Sequence, residues 1–387
     1  MASFIETAFN FDTQHPSLGI IALEGARTLA EKVDKYLVDW FNSEAIKQNK
    51  PYRKKTFLID CVCPRFTSGD GKALIKDSVR GMDIYLMCDV GNYSCTYNMY
   101  GVEVPMSPDD HFADLKRVIS AISGKAANLS VVMPLLYGGR QHKRTARESL
   151  DCAMMLKELE SMGVTEVITF DAHDPRVQNA TPLIGFDNFM PSYQLMKALL
   201  RKFPDLKLNK DHFMVVSPDE GAMNRNIYYA SVLGLDLGMF YKRRDYATII
   251  NGRNPIIAHE YIGSAVMGMD VFIADDIIAT GESLLSIASR LKEARANRIF
   301  LGATFGLFTD GIKKFRDAYD AGLIDGVIST NLTYNSKDLK DEPWYIAAEM
   351  SKFVAYIISA CNQNMSVSKL LDPHDKINEL IDKHSQL

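Results

Sequence analysis

The stretch "VFIADDIIATGESLLSIASRL", Val271 to Leu291, starts as an apolar strand and ends as an amphipathic helix. Between them stand two adjacent acids, Asp275 and Asp276, and then the turn Thr280-Gly281-Glu282-Ser283. A strand that passes through a loop into a helix N-terminus leaves free backbone N–H groups at the positive end of a dipole. The small or hydroxylated residues Thr280, Gly281 and Ser283 let that backbone curl round a phosphate and add hydroxyl donors. Two carboxylates would repel the same phosphate, so they must face something else: the vicinal hydroxyls of a sugar, or a metal ion. One ligand carrying both a phosphate and a diol, a sugar phosphate, satisfies both halves. The competing reading is a solvated loop whose acids cap the following helix. No G-x-x-x-x-G-K-[ST] is present, because "SGDGKA" has neither the spacing nor the hydroxyl, and no G-x-G-x-x-G follows a strand.

Other stretches carry chemistry at strand ends. In "VVMPLLYGGRQHKR" a strand ends at Pro134, and Gly138-Gly139 precede Arg140, Gln141, His142, Lys143 and Arg144, a cluster that suits a polyphosphate. In "VITFDAHDP", Asp171 and His173 alternate off the end of an apolar strand and should share a face. A carboxylate with an imidazole there suits a cluster of Mg²⁺, water and a triphosphate. Asp219 follows the strand and tight turn of "MVVSPDEGAMNRN". Lys242 and Arg244 end the strand of "FYKRRDYATI", and the segment from Asp245 to Ile257 has the Gly and Asn content of a lid.

Short apolar strands alternate with helices along the chain, which predicts α/β architecture with mainly parallel sheets. The pattern restarts near residue 192, so we expect two similar domains, each a mainly parallel sheet flanked by helices. The expected division is a helical N-terminal extension over 1–50, a first domain over 51–191 completed by a C-terminal helix over 342–370, and a second domain over 192–341.

The 387 residues suffice for two domains with large cores. At 47% hydrophobic and 24% charged with a net charge of −4, nothing argues for nucleic acid as a partner. The N-terminus lacks a basic signal-peptide region, and no apolar run reaches membrane-spanning length. The cysteines sit in apolar stretches, as buried reduced thiols of a cytoplasmic protein do. Cys61 and Cys63 have no second Cys or His pair at zinc-site spacing.

"VFIADDIIATGESLL" resembles the phosphoribosyl-diphosphate-binding motif of type I phosphoribosyltransferases and ribose-phosphate diphosphokinases. Four further stretches, in order over roughly residues 55–370, resemble the diphosphokinase family: "RFTSGDGKALIKDSVRGMDIYLM", "GGRQHKR", "DAH" and the pair "SPDEGAMNRN" and "FYKRRDYATI". The resemblance implies transfer of the β,γ-diphosphoryl group of ATP to the 1-hydroxyl of ribose 5-phosphate, giving phosphoribosyl diphosphate and AMP. It implies ATP binding at Phe66, Asp70, Arg140, Gln141 and His173. Ribose 5-phosphate would lie at Asp219, Asp275, Asp276, Ala279, Thr280, Gly281, Glu282 and Ser283. Lys242 and Arg244 would be catalytic, and Asp171, His173 and Asp219 would serve Mg²⁺. It further implies a homo-oligomer of dimers or hexamers. Departures from the family pattern are Ser68 and Ala279 in place of acids, His142 and Lys143 in place of an acid and an arginine, and Phe305 in place of a histidine. The alternatives are a phosphoribosyltransferase, which needs neither "GGRQHKR" nor "DAH", and a non-catalytic or regulatory subunit that retains the fold.

Overall fold

The apolar runs form two parallel or mainly parallel sheets, one in each of two compact units. The structure, a computed structural model, describes residues 9, 15–51, 53–244 and 256–385. The side chains of 242–244 and 256–259 fall outside that description. One unit comprises Met1–Met190, Asn331–Tyr334 and Met350–Asp372, the other Pro191–Thr330, Asn335–Glu349 and Pro373–Leu387.

The first sheet has the order β1 (Leu18–Ala22), β2 (Asp83–Met87), β3 (Asn128–Val132), β4 (Glu166–Phe170) and β5 (Gly185–Phe189), every neighbouring pair parallel. All five residues of β2 are buried, as a strand covered on both faces must be. Helices α1 (Arg27–Lys47), α2 (Pro108–Ile122) and α3 (Asp151–Ser161) belong to this unit. The helix Ser351–Asn362 returns from the far end of the chain to pack on α1, where Trp40 and Tyr356 stack at 4.5 Å.

Two expectations are corrected here. Residues 18–47 are not an extension: β1 pairs with β2 in register from Leu18 with Asp83 to Ala22 with Met87, and α1 covers the sheet. "LGIIA" is too short an apolar run for its period to declare a strand. Nor is 342–370 one helix. Tyr345–Ala348 is a strand, and the helix starts only at Ser351.

The second sheet has seven strands. In chain order they are β6 (Phe213–Ser217), β7 (Asp236–Arg244), β8 (Ile256–Ile262), β9 (Asp270–Ile278), β10 (Ile299–Gly306), β11 (Gly326–Thr330) and β12 (Tyr345–Ala348). The spatial order is β8-β7-β6-β9-β10-β11-β12, and only β7 with β8 is antiparallel. The chain winds outward from β6 in one direction and from β9 in the other. The junction of β6 and β9 is therefore a topological switch point, where an open α/β sheet leaves a crevice beyond the carboxyl ends of its strands. Helices α4 (Ser192–Lys202), α5 (Met223–Leu233), α6 (Glu282–Glu293) and α7 (Lys313–Asp320) belong to this unit. Phe305, at a position where a polar residue was expected from the resemblance, is fully buried in β10 and paired with Ile277.

Candidate functional site

The second unit's chemistry collects at the switch point. The β6–β9 ladder ends at Val216 opposite Ile273, but β9 runs on to Ile278, still paired with β10 through Ile278 and Gly306. Asp275 and Asp276 therefore lie inside β9, on the part that outruns β6, and not in a loop as expected. Although adjacent strand residues nominally alternate in face, the two carboxyls here come within hydrogen-bonding reach of each other. Asp276 is buried, while the Asp275 side chain is 28% exposed and lies 3.7 Å from the guanidinium of Arg225 in α5. Burial and the neighbouring Asp276 carboxylate push the Asp275 carboxyl up to about 8, and Arg225 opposes that shift. The Asp276 amide donates to Asp275 Oδ1 at 2.9 Å.

Past β9, the loop is anchored by the amides of Leu307 and Phe308, which donate to the Ile278 carbonyl, and by that of Thr309, which donates to the Ala279 carbonyl. Gly281 then adopts φ +78 as the residue before α6. A side chain there would meet the Phe315 ring at 2.1 Å, so the position needs glycine both for its backbone angle and for the space. No side chain caps α6, and the ladder starts with the Leu285 amide on the Gly281 carbonyl. Of the earlier amides of this first turn, that of Glu282 donates to Thr280 Oγ1 at 3.4 Å, and a helix start of this kind suits an anion. The Glu282 carboxylate is held at 2.9 Å by Lys314 of α7, although it is exposed. Thr280 and Ser283 flank the same turn.

Across the switch point, Asp219 follows β6. Its Oδ1 accepts from the Ala222 amide at 3.1 Å and its carbonyl from Ser217 Oγ at 2.8 Å. Sequence reasoning missed Arg225 and Asn226, which read only as polar residues of a helix. Lys242 and Arg244 end β7 next to β6, and their side chains lie outside the described residues. The segment read as a lid lies outside them from 245 to 255, and Ile256 and Ile257 already belong to β8.

The first unit places its groups on loops after β3 and β4. Asp171 leaves β4 in the left-handed region with φ +43 and is 4% exposed, whereas His173 is exposed. The expected shared face is thus corrected, because strand alternation stops at Phe170. Asp is one of the few residues that tolerate this backbone angle. The turn is fastened to β5 by the Asp171 amide on the Phe189 carbonyl and by the Ala172 amide on Asn188 Oδ1.

His142 lies under this turn. Its Nε2 is 3.6 Å from an Asp174 oxygen, and its ring centroid is 5.2 Å from that of His173. Burial and the His173 ring lower its proton affinity. Asp174 is held down to about 2, chiefly by Arg176. Arg140, Lys143 and Arg144 are exposed, and the Gln141 amide donates to the Ser149 carbonyl at 2.9 Å.

In the loop from Arg65 to Lys72 the Phe66 ring is 56% exposed, and the Asp70 carboxylate accepts from Ser68 Oγ at 2.7 Å. The base of the loop is fixed by Arg65, buried in a two-pronged pair with Asp114 at 2.7 and 2.8 Å. Among the described residues the potential metal donors that cluster are Glu166, Asp187 and Cys361. Glu166 opens β4, so that group lies toward the opposite end of β4 from Asp171 and His173. All six cysteines are free. No described helix is long and apolar enough to cross a membrane.

Comparison with known proteins agrees with this division. Residues 18–163 match the family described as the N-terminal domain of ribose phosphate pyrophosphokinase, and residues 188–321 match the phosphoribosyl transferase domain. The Mycoplasma genitalium ribose-phosphate pyrophosphokinase is 26% identical over 84% of this chain and 89% of its own length. The Shewanella oneidensis protein of that name is 29% identical over 81% of this chain and 91% of its own. The crystal structure of phosphoribosylpyrophosphate synthetase from Mycobacterium smegmatis superposes with a TM-score of 0.70 at 20% identity, covering 90% of this chain and 99% of that one, which shows the shared fold. With both domain matches in order along most of its length, the chain belongs to the ribose-phosphate pyrophosphokinase family.

Proposed function

We propose that the chain is a ribose-phosphate diphosphokinase in which the 1-hydroxyl of ribose 5-phosphate attacks the β-phosphorus of ATP, forming phosphoribosyl diphosphate and releasing AMP. The observation that carries the reading is the switch point: acids on the overhanging end of β9, then the uncapped first turn of α6. That pairing suits a ligand with a diol and a phosphate.

In this reading the amides of the Thr280–Ser283 turn, with the Thr280 and Ser283 hydroxyls, hold the 5-phosphate. Asp275 and Asp276 serve the ribose hydroxyls from the overhanging end of β9, and Asp219 approaches from the β6 side. Ala279 contributes only backbone. In the first unit Phe66 and Asp70 serve the adenine end, the exposed Phe66 ring offering a stacking face. Arg140, Gln141 and His173 serve the phosphates. Phosphoryl-type transfer needs positioning and charge neutralisation more than covalent participation. Lys242 and Arg244 supply the latter on the transferring group and the leaving AMP.

Mg²⁺ belongs to this proposal. Asp171 in the first unit and Asp219 in the second offer the hard carboxylate oxygens that Mg²⁺ prefers, and each unit's groups, His173 among those of the first, would serve Mg²⁺ on its own side. The thiol-containing group Glu166–Asp187–Cys361 suits a softer ion. When bound, Mg²⁺ neutralises phosphate charge. A cytoplasmic homo-oligomer, dimeric or hexameric, completes the reading. The test is to incubate the purified chain with ATP, ribose 5-phosphate and Mg²⁺ and to separate the nucleotides. AMP in step with phosphoribosyl diphosphate supports the proposal. ADP, or unchanged ATP, sinks it.

A further inference from the structure

The side chain of Asn226 is fully buried, and it stands where the β6–β9 ladder stops. Its Nδ2 donates to the Ala274 carbonyl at 2.8 Å, and its Oδ1 accepts from the Ala274 amide at 3.2 Å. One carboxamide thus satisfies both backbone groups of the residue immediately before Asp275, as a further strand residue of β6 would. The same Nδ2 reaches the Ala222 carbonyl at 2.9 Å and Ser217 Oγ at 3.3 Å. Ser217 Oγ donates onward to the Asp219 carbonyl, and the Ala222 amide donates to the Asp219 carboxylate. The neighbouring Arg225 holds Asp275 itself.

We propose that Asn226 is a positioning residue for ribose 5-phosphate, tying the Asp219 turn to the acid-bearing end of β9 so that the pentose meets a preset pair of segments. The inference rests on the proposed function and goes beyond it by assigning the residue that sets the spacing. No other side chain of this size fits the role. The site needs a group that donates to two carbonyls and accepts from an amide at once, which a carboxamide does. A carboxylate of the same shape would set its oxygens against the carbonyls of Ala274 and Ala222. An alanine would leave the Ala274 amide and carbonyl buried without partners.

The test compares wild type, Asn226→Asp and Ser217→Ala by steady-state kinetics with each substrate varied, alongside thermal unfolding. Ser217→Ala removes the links from Ser217 Oγ to the Asp219 carbonyl and to Asn226 Nδ2, and leaves the Ala274 contacts in place. For Asn226→Asp, KM for ribose 5-phosphate should rise about tenfold or more while KM for ATP stays within about twofold, the scale of one lost buried hydrogen bond. Ser217→Ala should move the same constant in the same direction by roughly two- to fivefold, with its melting temperature nearly unchanged. Folded variants with an unchanged KM for ribose 5-phosphate, or with both constants rising in proportion, overturn the assignment. If Asn226→Asp does not fold, Ser217→Ala alone decides. A wild-type chain that makes no AMP brings down the underlying reading, and this inference with it.

Discussion

The two units solve different problems with the same kind of sheet. In the second, the strand order reverses between β6 and β9, and the acids, Asn226 and the α6 turn are all fixed by ladder, helix or buried amide. In the first, the strands follow one another across the sheet in sequence order, with no reversal. Its groups ride on loops, the Arg65–Lys72 loop and those after β3 and β4, held largely by side-chain contacts such as Gln141 on the Ser149 carbonyl and Asp174 on Arg176. The switch-point region is therefore preset, whereas the Gln141 amide is already engaged with the Ser149 carbonyl. A sheet with one switch point presets one ligand crevice; where the order does not reverse, recognition falls to loops.

The largest effect should come from neither region's frame but from the end of β7. Lys242→Ala should lower kcat by about 10²- to 10⁴-fold, the cost of removing a comparable charge stabiliser. Near-normal turnover would refute its role.

Gly281→Ala strikes the preset region. A methyl group must fit 2.1 Å from the Phe315 ring at φ +78, so unfolding stability should fall by about 1–3 kcal/mol. Denaturant titration reads this directly, and an unchanged midpoint would show that the turn is not rigid.

Asp275 sharpens the comparison through pH. Its carboxyl is raised from 3.8 to about 8 in the fold, so the folded chain holds a proton that the unfolded chain releases. The stability this contributes is complete below pH 3.8 and is lost as pH rises through 8. Melting temperatures of the ligand-free protein should fall less steeply between pH 5 and 8 in Asp275→Asn than in wild type. Parallel profiles would contradict the burial argument.

The smallest effect is expected in the loop region. Gln141→Ala should raise KM for ATP by only about two- to fivefold, because the amide already has a partner to forfeit. A change of a hundredfold would mean that this loop is as preset as the other.

Much of this was legible in the residues. "VFIADD" and "IFLGATFG" are buried on both faces, so their apolar runs declare central strands, and the glycine in "ATGES" marks the turn that only it can make. The acids were visible, but not the point where β9 ends, because pairing with β10 extends it past the apolar run. β1 and β12 were lost to short apolar runs that fit either period. The left-handed turn at Asp171 has no sequence signal beyond the aspartate itself. Asn226 was invisible because its partners, Ala222 and Ala274, are backbone groups, and one lies 48 residues away.

The account turns on the second unit's carrying a preset pentose-phosphate site. The direct measurement is calorimetric titration of ribose 5-phosphate, and separately of ATP with Mg²⁺, into wild type and a Thr280→Val, Ser283→Ala double variant. Binding of ribose 5-phosphate should weaken by at least about tenfold in the variant, with ATP binding unchanged. Equal affinity for ribose 5-phosphate in both proteins would contradict it.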